Sequence, residues 1–259
     1  MPIAKSDGAA IHYEVTGTEG APWLFFSNSL GTNLSMWDAQ VASLKDRFRI
    51  LRYDSRGHGR SNVPAEPCTI DQLGRDAVAV MDAAGVETAS FCGLSKGGMV
   101  GMWLGAHAPQ RIARLALCNT AAHMPPASMW DERIAAARDK GMEALVDGVI
   151  ERWLTPEFRK RDPQAVDRVR EMLLSTEGAG YAACCAAIRD MDQRQSIRQI
   201  TAPTLVIAGA HDPATPPDKS REIAEAIAGS ELVTLDAAHL SNIEQETDFT
   251  RTLSEFLER

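Results

Sequence analysis

The sequence predicts an α/β fold in which a mostly parallel central sheet is flanked by helices and carries an inserted helical lid. Three observations predict it. Short runs rich in β-branched and aromatic residues recur along the 259-residue chain, segments of helical periodicity separate them, and the stretch 122–197 is helical in pattern with no strand in it. On this reading 1–121 and 198–259 form the α/β core, and 122–197 is a lid over the sheet edge.

The strand candidates, in order, are 11–15, 23–27, 49–53, 89–92, 115–118, 204–208 and 232–235. Several are apolar throughout, as expected of parallel strands buried on both faces. Between them Leu73, Ala77, Val80, Met81 and Ala84 recur at helical spacing, and 97–108 reads as a second helix. Near the end Phe249, Leu253, Phe256 and Leu257 share one helical face, and Ser241 with Glu244 matches a capping box that would start that helix. In the inserted stretch the helical pattern breaks at Pro156, Pro163 and Gly178. No internal repeat or low-complexity tract interrupts this order.

Composition restricts the function classes. With 44% hydrophobic and 24% charged residues the chain is an ordinary globular protein, long enough for a full core. A net charge of −8 without any Lys/Arg block argues against nucleic acid as a partner. No apolar run has the length of a signal peptide or a membrane span, so a cytoplasmic location is expected and a membrane partner is not. Cys68, Cys92, Cys118, Cys184 and Cys185 are odd in number and contain no CxxC pair, which favours reduced packing residues. Adjacent Cys184 and Cys185 also admit a redox device, although two small apolar residues in the helical run YAACCAAI explain them as well.

The chemistry is signalled by CGLSKGG at 92–98. GxSxG alone is weak, because chance places it in about one chain in ten of this size. Here, however, it follows a strand pattern and opens a helix, the context of a nucleophile elbow. Such a turn strains the serine backbone and leaves no room for neighbouring side chains, hence Gly93 and Gly97. It also aims the Lys96 N–H and the helix N-terminus at the space that the Ser95 hydroxyl faces, where an oxyanion would form. The alternative is a glycine-rich turn with an incidental serine.

A serine hydroxyl needs a base, and the base needs an orienting acid. PTLVIAGAHD places Asp212 just past one strand and ELVTLDAAHL places His239 just past the next, both at the carboxyl edge of the sheet. His211 and Asp236 are rivals, but the first reads as a surface loop residue and the second precedes His239 too closely to reach round its ring. His58 in YDSRGHGRS suits local backbone groups, and His12, His107 and His123 lack an acid at a strand end. The second oxyanion donor is expected from WLFFSNSLGT, with the Leu30 N–H as the candidate beside Gly31; Asn28 and Ser29 there would cap or turn the chain.

YDSRGHGRS, then the elbow GLSKGG, PTLVIAGAHD and AAHLSNIEQ, in that order along the sequence, make the chain resemble the α/β-hydrolase superfamily along its whole length. Within it, FFSNSLGTNLSMW, RWLTPEF and AAIRDMDQR look like the bacterial 3-oxoadipate enol-lactonases of protocatechuate and catechol breakdown. The resemblance implies Ser95 as nucleophile, His239 as base and Asp212 as its orienter, the amides of Leu30 and Lys96 as oxyanion hole, and neither metal nor organic cofactor. It also implies a small lactone substrate bearing a carboxylate. A protein of this net charge would grip such an anion with a local cation, for which Arg133, Arg138 and Arg189 are candidates, each with a solvated face as the alternative. Trp130 and Trp153 are both candidates for lining the pocket, with packing within the lid the preferred role for Trp153. Lys96 departs from the usual uncharged residue at its position; it would either attract the anion or point into solvent.

Other serine hydrolases of this fold share the triad, including broad carboxylesterases, perhydrolases and carbon–carbon bond hydrolases. A small-molecule receptor that uses the fold without turnover is a further alternative. Haloalkane dehalogenases and epoxide hydrolases are disfavoured, since they need an aspartate where Ser95 stands. The oligomeric state is left open.

Overall fold

Apolar strand segments can be buried on both faces only if helices cover both sides of the sheet. The computed structural model, which describes residues 2–259, has this arrangement. Eight strands, β1 (Ile3–Ser6), β2 (Ala9–Gly17), β3 (Trp23–Ser27), β4 (Arg49–Tyr53), β5 (Ala89–Leu94), β6 (Ile112–Cys118), β7 (Thr204–Gly209) and β8 (Glu231–Leu235), form one sheet in the order 1-2-4-3-5-6-7-8. β1 pairs antiparallel with β2 and β2 with β4, whereas every pair from β4 through β8 is parallel. The parallel strands therefore all end at one edge.

The core helices are α1 (Asp38–Leu44), α2 (Ile70–Ala83) and α3 (Lys96–His107). α2 begins at a capping box in which Thr69 and Gln72 exchange side-chain and backbone hydrogen bonds. Between β6 and β7 lie only helices: α4 (Ala127–Lys140), α5 (Val146–Trp153), α6 (Pro156–Arg161), α7 (Pro163–Leu174) and α8 (Gly178–Asp190). Pro156, Pro163 and Gly178 are the first residues of α6, α7 and α8. A proline ring fits that position because its missing N–H would have no helical acceptor. An isolated bridge between His123 and Asp192, with Gln193 N–H bonded to Ala122 O at 2.8 Å, closes the base of the insertion. α9 (Pro217–Ala226), α10 (Ser241–Glu244) and α11 (Glu246–Leu257) complete the chain.

Four expectations need correction. β1 lacks a candidate strand, being four residues long and half exposed; its signal is the Asp7-Gly8 pair, whose positive φ values of 43° and 76° make a tight hairpin turn. Ser241 and Glu244 do not form a capping box. Ser241 lies inside α10 and donates to Asn119 Oδ1, while the Glu244 carboxylate accepts hydrogen bonds from Thr155 and Ala238. His12 does meet an acid, since its Nδ1 lies 3.0 Å from Oδ2 of the buried Asp54, 42 residues away in sequence. Trp153 does more than pack, as it also faces the cavity described below.

All five cysteines are free and buried. Among the described residues no helix is long and apolar enough to cross a membrane.

Candidate active site

The carboxyl ends of β3, β5, β7 and β8 converge on one place. After β5 the chain turns sharply into α3, and Ser95 at the turn has φ 57° and ψ −117°, a conformation that an L-residue adopts only under constraint. The turn is clamped: Ser95 N–H donates to Cys118 O at 2.9 Å, and Ser95 O accepts from the Thr120 hydroxyl at 2.7 Å. A Cβ on Gly93 would overlap the Gly97 carbonyl, and one on Gly97 would overlap the Ser27 carbonyl. Both glycines are thus required by close backbone approach.

β7 delivers Asp212 and β8 delivers His239, each almost wholly buried. His239 Nδ1 lies 2.8 Å from Asp212 Oδ2. With Nδ1–H donated to the carboxylate, Nε2 is the nitrogen left to act as a base. Asp212 is held in turn by the Ala214 and Thr215 N–H groups at 2.8 and 3.0 Å, the Thr215 hydroxyl at 2.7 Å and the Asn119 amide at 3.0 Å. Burial pushes the Asp212 carboxyl upward, but the charge of His239 and these donors together bring it below its ordinary value of 3.8. The acid is ionised at neutral pH.

Ser95 and His239 line one cavity of about 410 Å³ together with Leu30, Trp130, Arg133, Arg152 and Trp153. In the loop after β3, Ser29 N–H meets Met36 Sδ at 3.3 Å and Gly31 N–H donates to His58 Nε2 at 2.9 Å, whereas the intervening Leu30 N–H meets no acceptor among the described residues. Lys96 N–H, at the start of α3, likewise meets none. Two N–H donors without an acceptor thus lie beside Ser95, one in the loop after β3 and one at the start of α3.

The insertion supplies the other wall. Arg133 on α4 stacks over the Trp130 ring at 5.2 Å and the Tyr181 ring at 5.6 Å, and its Nη2 donates to the Tyr181 hydroxyl. Its buried Nε has no partner. Arg152 on α5 lines the same cavity, and its pKa is lowered by partial burial and by repulsion from Arg133. No carboxylate lies within ion-pair distance of either guanidinium among the described residues. Arg138 and Arg189 stand elsewhere: Arg138 is exposed, and Arg189 pairs with Asp131 and Asp190 at 2.7 Å each. Neither lines the cavity.

Lys96 follows neither expectation, since its side chain is fully buried and its Nζ has no hydrogen-bond partner. Burial lowers its pKa, offset in part by nearby Cys184, Cys68, Asp54 and Asp76. His58 meets one local backbone group, the Arg56 carbonyl at its Nδ1, but its Nε2 accepts from the Gly31 N–H, 27 residues away in the loop after β3, and His211 pairs with Asp236 on the surface. Sequence reasoning missed Asn119, Thr215 and Arg152. Asn119 had a usable signal, being a polar residue directly after an apolar strand at the carboxyl edge. No group of three or more His, Cys, Asp or Glu among the described residues is placed to hold a metal ion.

A family model described as serine aminopeptidase, S33, matches residues 26–239, from β3 to the histidine loop. The curated 3-oxoadipate enol-lactonase 2 of Acinetobacter baylyi is 40% identical over 250 residues, covering 96% of this chain and 94% of that protein. The chain belongs to the α/β-hydrolase superfamily. This hydrolase superposes on the crystal structure of the enol-lactonase from Burkholderia xenovorans LB400 with a TM-score of 0.98 and 46% identity, each chain covered in full. It is also similar to a thermophilic esterase from Thermogutta terrifontis, solved with malate bound, with a TM-score of 0.92 and 28% identity over 100% of this chain and 97% of that one. The hydrolase acts on carboxylic esters, and its likeness to enol-lactonases spans the whole chain.

Proposed function

We propose that this hydrolase opens 3-oxoadipate enol-lactone, a small lactone bearing a free carboxylate, to 3-oxoadipate through an acyl-enzyme on Ser95. The observation that carries this reading is the pair Arg133 and Arg152, two guanidinium groups without a carboxylate partner in the cavity that Ser95 and His239 line. Glu132 also lines the pocket and Glu151 acts on Arg152 through space, but neither forms an ion pair with these two guanidinium groups, which leaves their hydrogen bonds open to an anionic ligand; guanidinium matches a carboxylate with two parallel hydrogen bonds. The names of the 3-oxoadipate enol-lactonase relatives point to the same substrate, and cytoplasmic breakdown of aromatic compounds by the β-ketoadipate route is the setting that the resemblance in sequence implies for it.

Ser95 Oγ attacks the lactone carbonyl while His239 Nε2 takes its proton and Asp212 stabilises the imidazolium. The Leu30 and Lys96 amides receive the oxyanion. Collapse breaks the ring C–O bond and expels an enolate oxygen, which takes the proton from His239 to become the enol and then tautomerises to the ketone, so that reclosure is suppressed. Water, deprotonated by the same Nε2, then attacks the acyl carbon; the bond to Ser95 Oγ breaks, Oγ takes the proton back from His239, and the second carboxylate is released. The route needs neither metal nor organic cofactor. Residues 122–197 serve as the lid that carries the carboxylate-binding arginines.

The test compares kcat/KM on the enol-lactone with that on neutral p-nitrophenyl esters, and with peracid formation, for the wild type and for Arg133→Met and Arg152→Met. The proposal expects a strong preference for the lactone. It expects each arginine variant to raise KM for the lactone by about 10- to 100-fold, the worth of a charged hydrogen bond, with neutral esters little affected. Equal wild-type rates on neutral esters would instead establish a broad carboxylesterase. A Ser95→Ala variant that sustains growth on protocatechuate would leave the receptor reading in its place.

A further inference from the structure

Glu244 is a nearly buried carboxylate, 5% exposed, without a cation in ion-pair distance among the described residues. A buried carboxylate is costly unless donors converge on it. Three do. Its Oε2 accepts the Ala238 N–H at 3.0 Å and the Thr155 N–H at 3.3 Å, and its Oε1 accepts the Thr155 hydroxyl. Ala238 directly precedes the histidine of the site, and Thr155 lies two residues after Trp153 at the α5–α6 junction of the insertion. One side chain therefore joins two segments that come from different parts of the fold.

Other contacts run in parallel with this tie. Leu240 N–H donates to Trp153 O at 3.1 Å, so the residues on either side of His239 are both anchored in or toward the insertion. The Trp153 ring lies 5.7 Å from the His239 ring, centroid to centroid, at 35°. On the opposite side the Ala238 carbonyl accepts from Asn119 Nδ2 at 3.1 Å, and that amide also holds Asp212. His239 is thus placed by Asp212 at its Nδ1, by Trp153 against its face, and by Glu244 through the preceding peptide.

We propose that Glu244 is a positioning residue for the hydrolytic reaction, holding the His239 loop and the Trp153 wall of the cavity as one unit through the convergent Ala238 and Thr155 donors. Only an acceptor fits there, because the groups facing it are donors. Register between base and cavity wall is then set by a single carboxylate, and substrate pressed against Trp153 meets an imidazole at a fixed place. The inference rests on His239 being the base proposed above.

The test uses the full-length enzyme and an activated p-nitrophenyl ester, with active serines counted by a fluorophosphonate label. Glu244→Met has similar bulk but no acceptor, and it is expected to lower kcat per labelled site by on the order of tenfold to a hundredfold and to displace the acid limb of the pH profile. Glu244→Gln keeps one carbonyl oxygen for the two N–H donors and is expected to recover most of that loss. A folded Glu244→Met enzyme with wild-type kcat and pH profile overturns the proposal. If Glu244→Met does not fold, amide exchange in Glu244→Asp, whose shorter side chain withdraws the carboxylate from both donors, decides. Segments 152–156 and 236–241 should lose protection together, and a change in one without the other, or in neither, also overturns it. Ser95→Ala and His239→Ala on the same ester separate the two questions: if they stay active the assignment of the site is at fault, and if they are inactive while the Glu244 variants are normal only this inference is.

Discussion

His239 and Asp212 meet at 2.8 Å, Nδ1 to Oδ2, at the head of a carboxylate that also takes the Thr215 hydroxyl and the Asn119 amide on the same oxygen. The donors do two things at once. They keep Asp212 ionised in spite of its burial, and they leave it one orientation, so that the imidazole is held in the tautomer with Nε2 free.

Replacing the acid should therefore damage turnover more than binding. In Asp212→Asn the side-chain amide no longer stabilises an imidazolium and can present N–H to Nδ1, which favours the wrong tautomer. We expect kcat to fall about a thousandfold or more with KM within a few-fold of wild type. Steady-state kinetics on a p-nitrophenyl ester check this, and a loss below tenfold would mean that another acid orients His239.

The same carboxylate links stability to pH. Its folded pKa lies below the ordinary 3.8, so the folded state binds its proton less readily than the unfolded chain. That contribution is fully present above the unfolded pKa of about 4 and is lost as pH falls through the lower folded value. Urea melts between neutrality and acid should show a smaller acid-side loss for Asp212→Asn than for wild type. Parallel curves through that window would remove the linkage.

At Gly97, as at Gly93, the elbow leaves no space for a side chain. A methyl group there would press on the Ser27 carbonyl, in the central strand β3 that neighbours β5. Gly97→Ala should cost about 1–3 kcal/mol or more in unfolding free energy and displace the elbow, lowering activity in the fraction that still folds. Chemical denaturation with activity assayed on the same samples would show it; an enzyme of wild-type stability would contradict the contact.

What the sequence disclosed follows how local each feature is. Ser95 was legible because its elbow is written in five consecutive residues whose glycines have a steric cause, and the strand ends of β7 and β8 named Asp212 and His239 by position. The arginines were not separable that way. Arg133 and Arg138 share α4, and which of them faces the cavity is decided by how that helix rolls against α8. Arg189 is withdrawn by Asp131, 58 residues away. The His12–Asp54 pair and the Glu244 tie are likewise single polar residues made meaningful by distant partners. No spacing rule connects 155 with 244.

Lys96 shows the reverse case, a residue whose backbone serves the proposed oxyanion hole while its side chain is a liability. Its ammonium is fully buried with no hydrogen-bond partner, near the thiols of Cys68 and Cys184 and the carboxylates of Asp54 and Asp76, and burial lowers its pKa from 10.5. The unfolded chain therefore binds this proton more tightly than the folded one, so stability should rise with pH from the folded pKa up to the unfolded value near 10.5. Lys96→Met fills the same space without a charge and retains the N–H. It should raise stability at neutral pH by about 1–3 kcal/mol and flatten the alkaline rise, with kcat on a neutral ester near that of wild type. A destabilised Lys96→Met protein, by urea denaturation at pH 7, would show instead that the buried ammonium is bound by its neighbours strongly enough to repay its own desolvation.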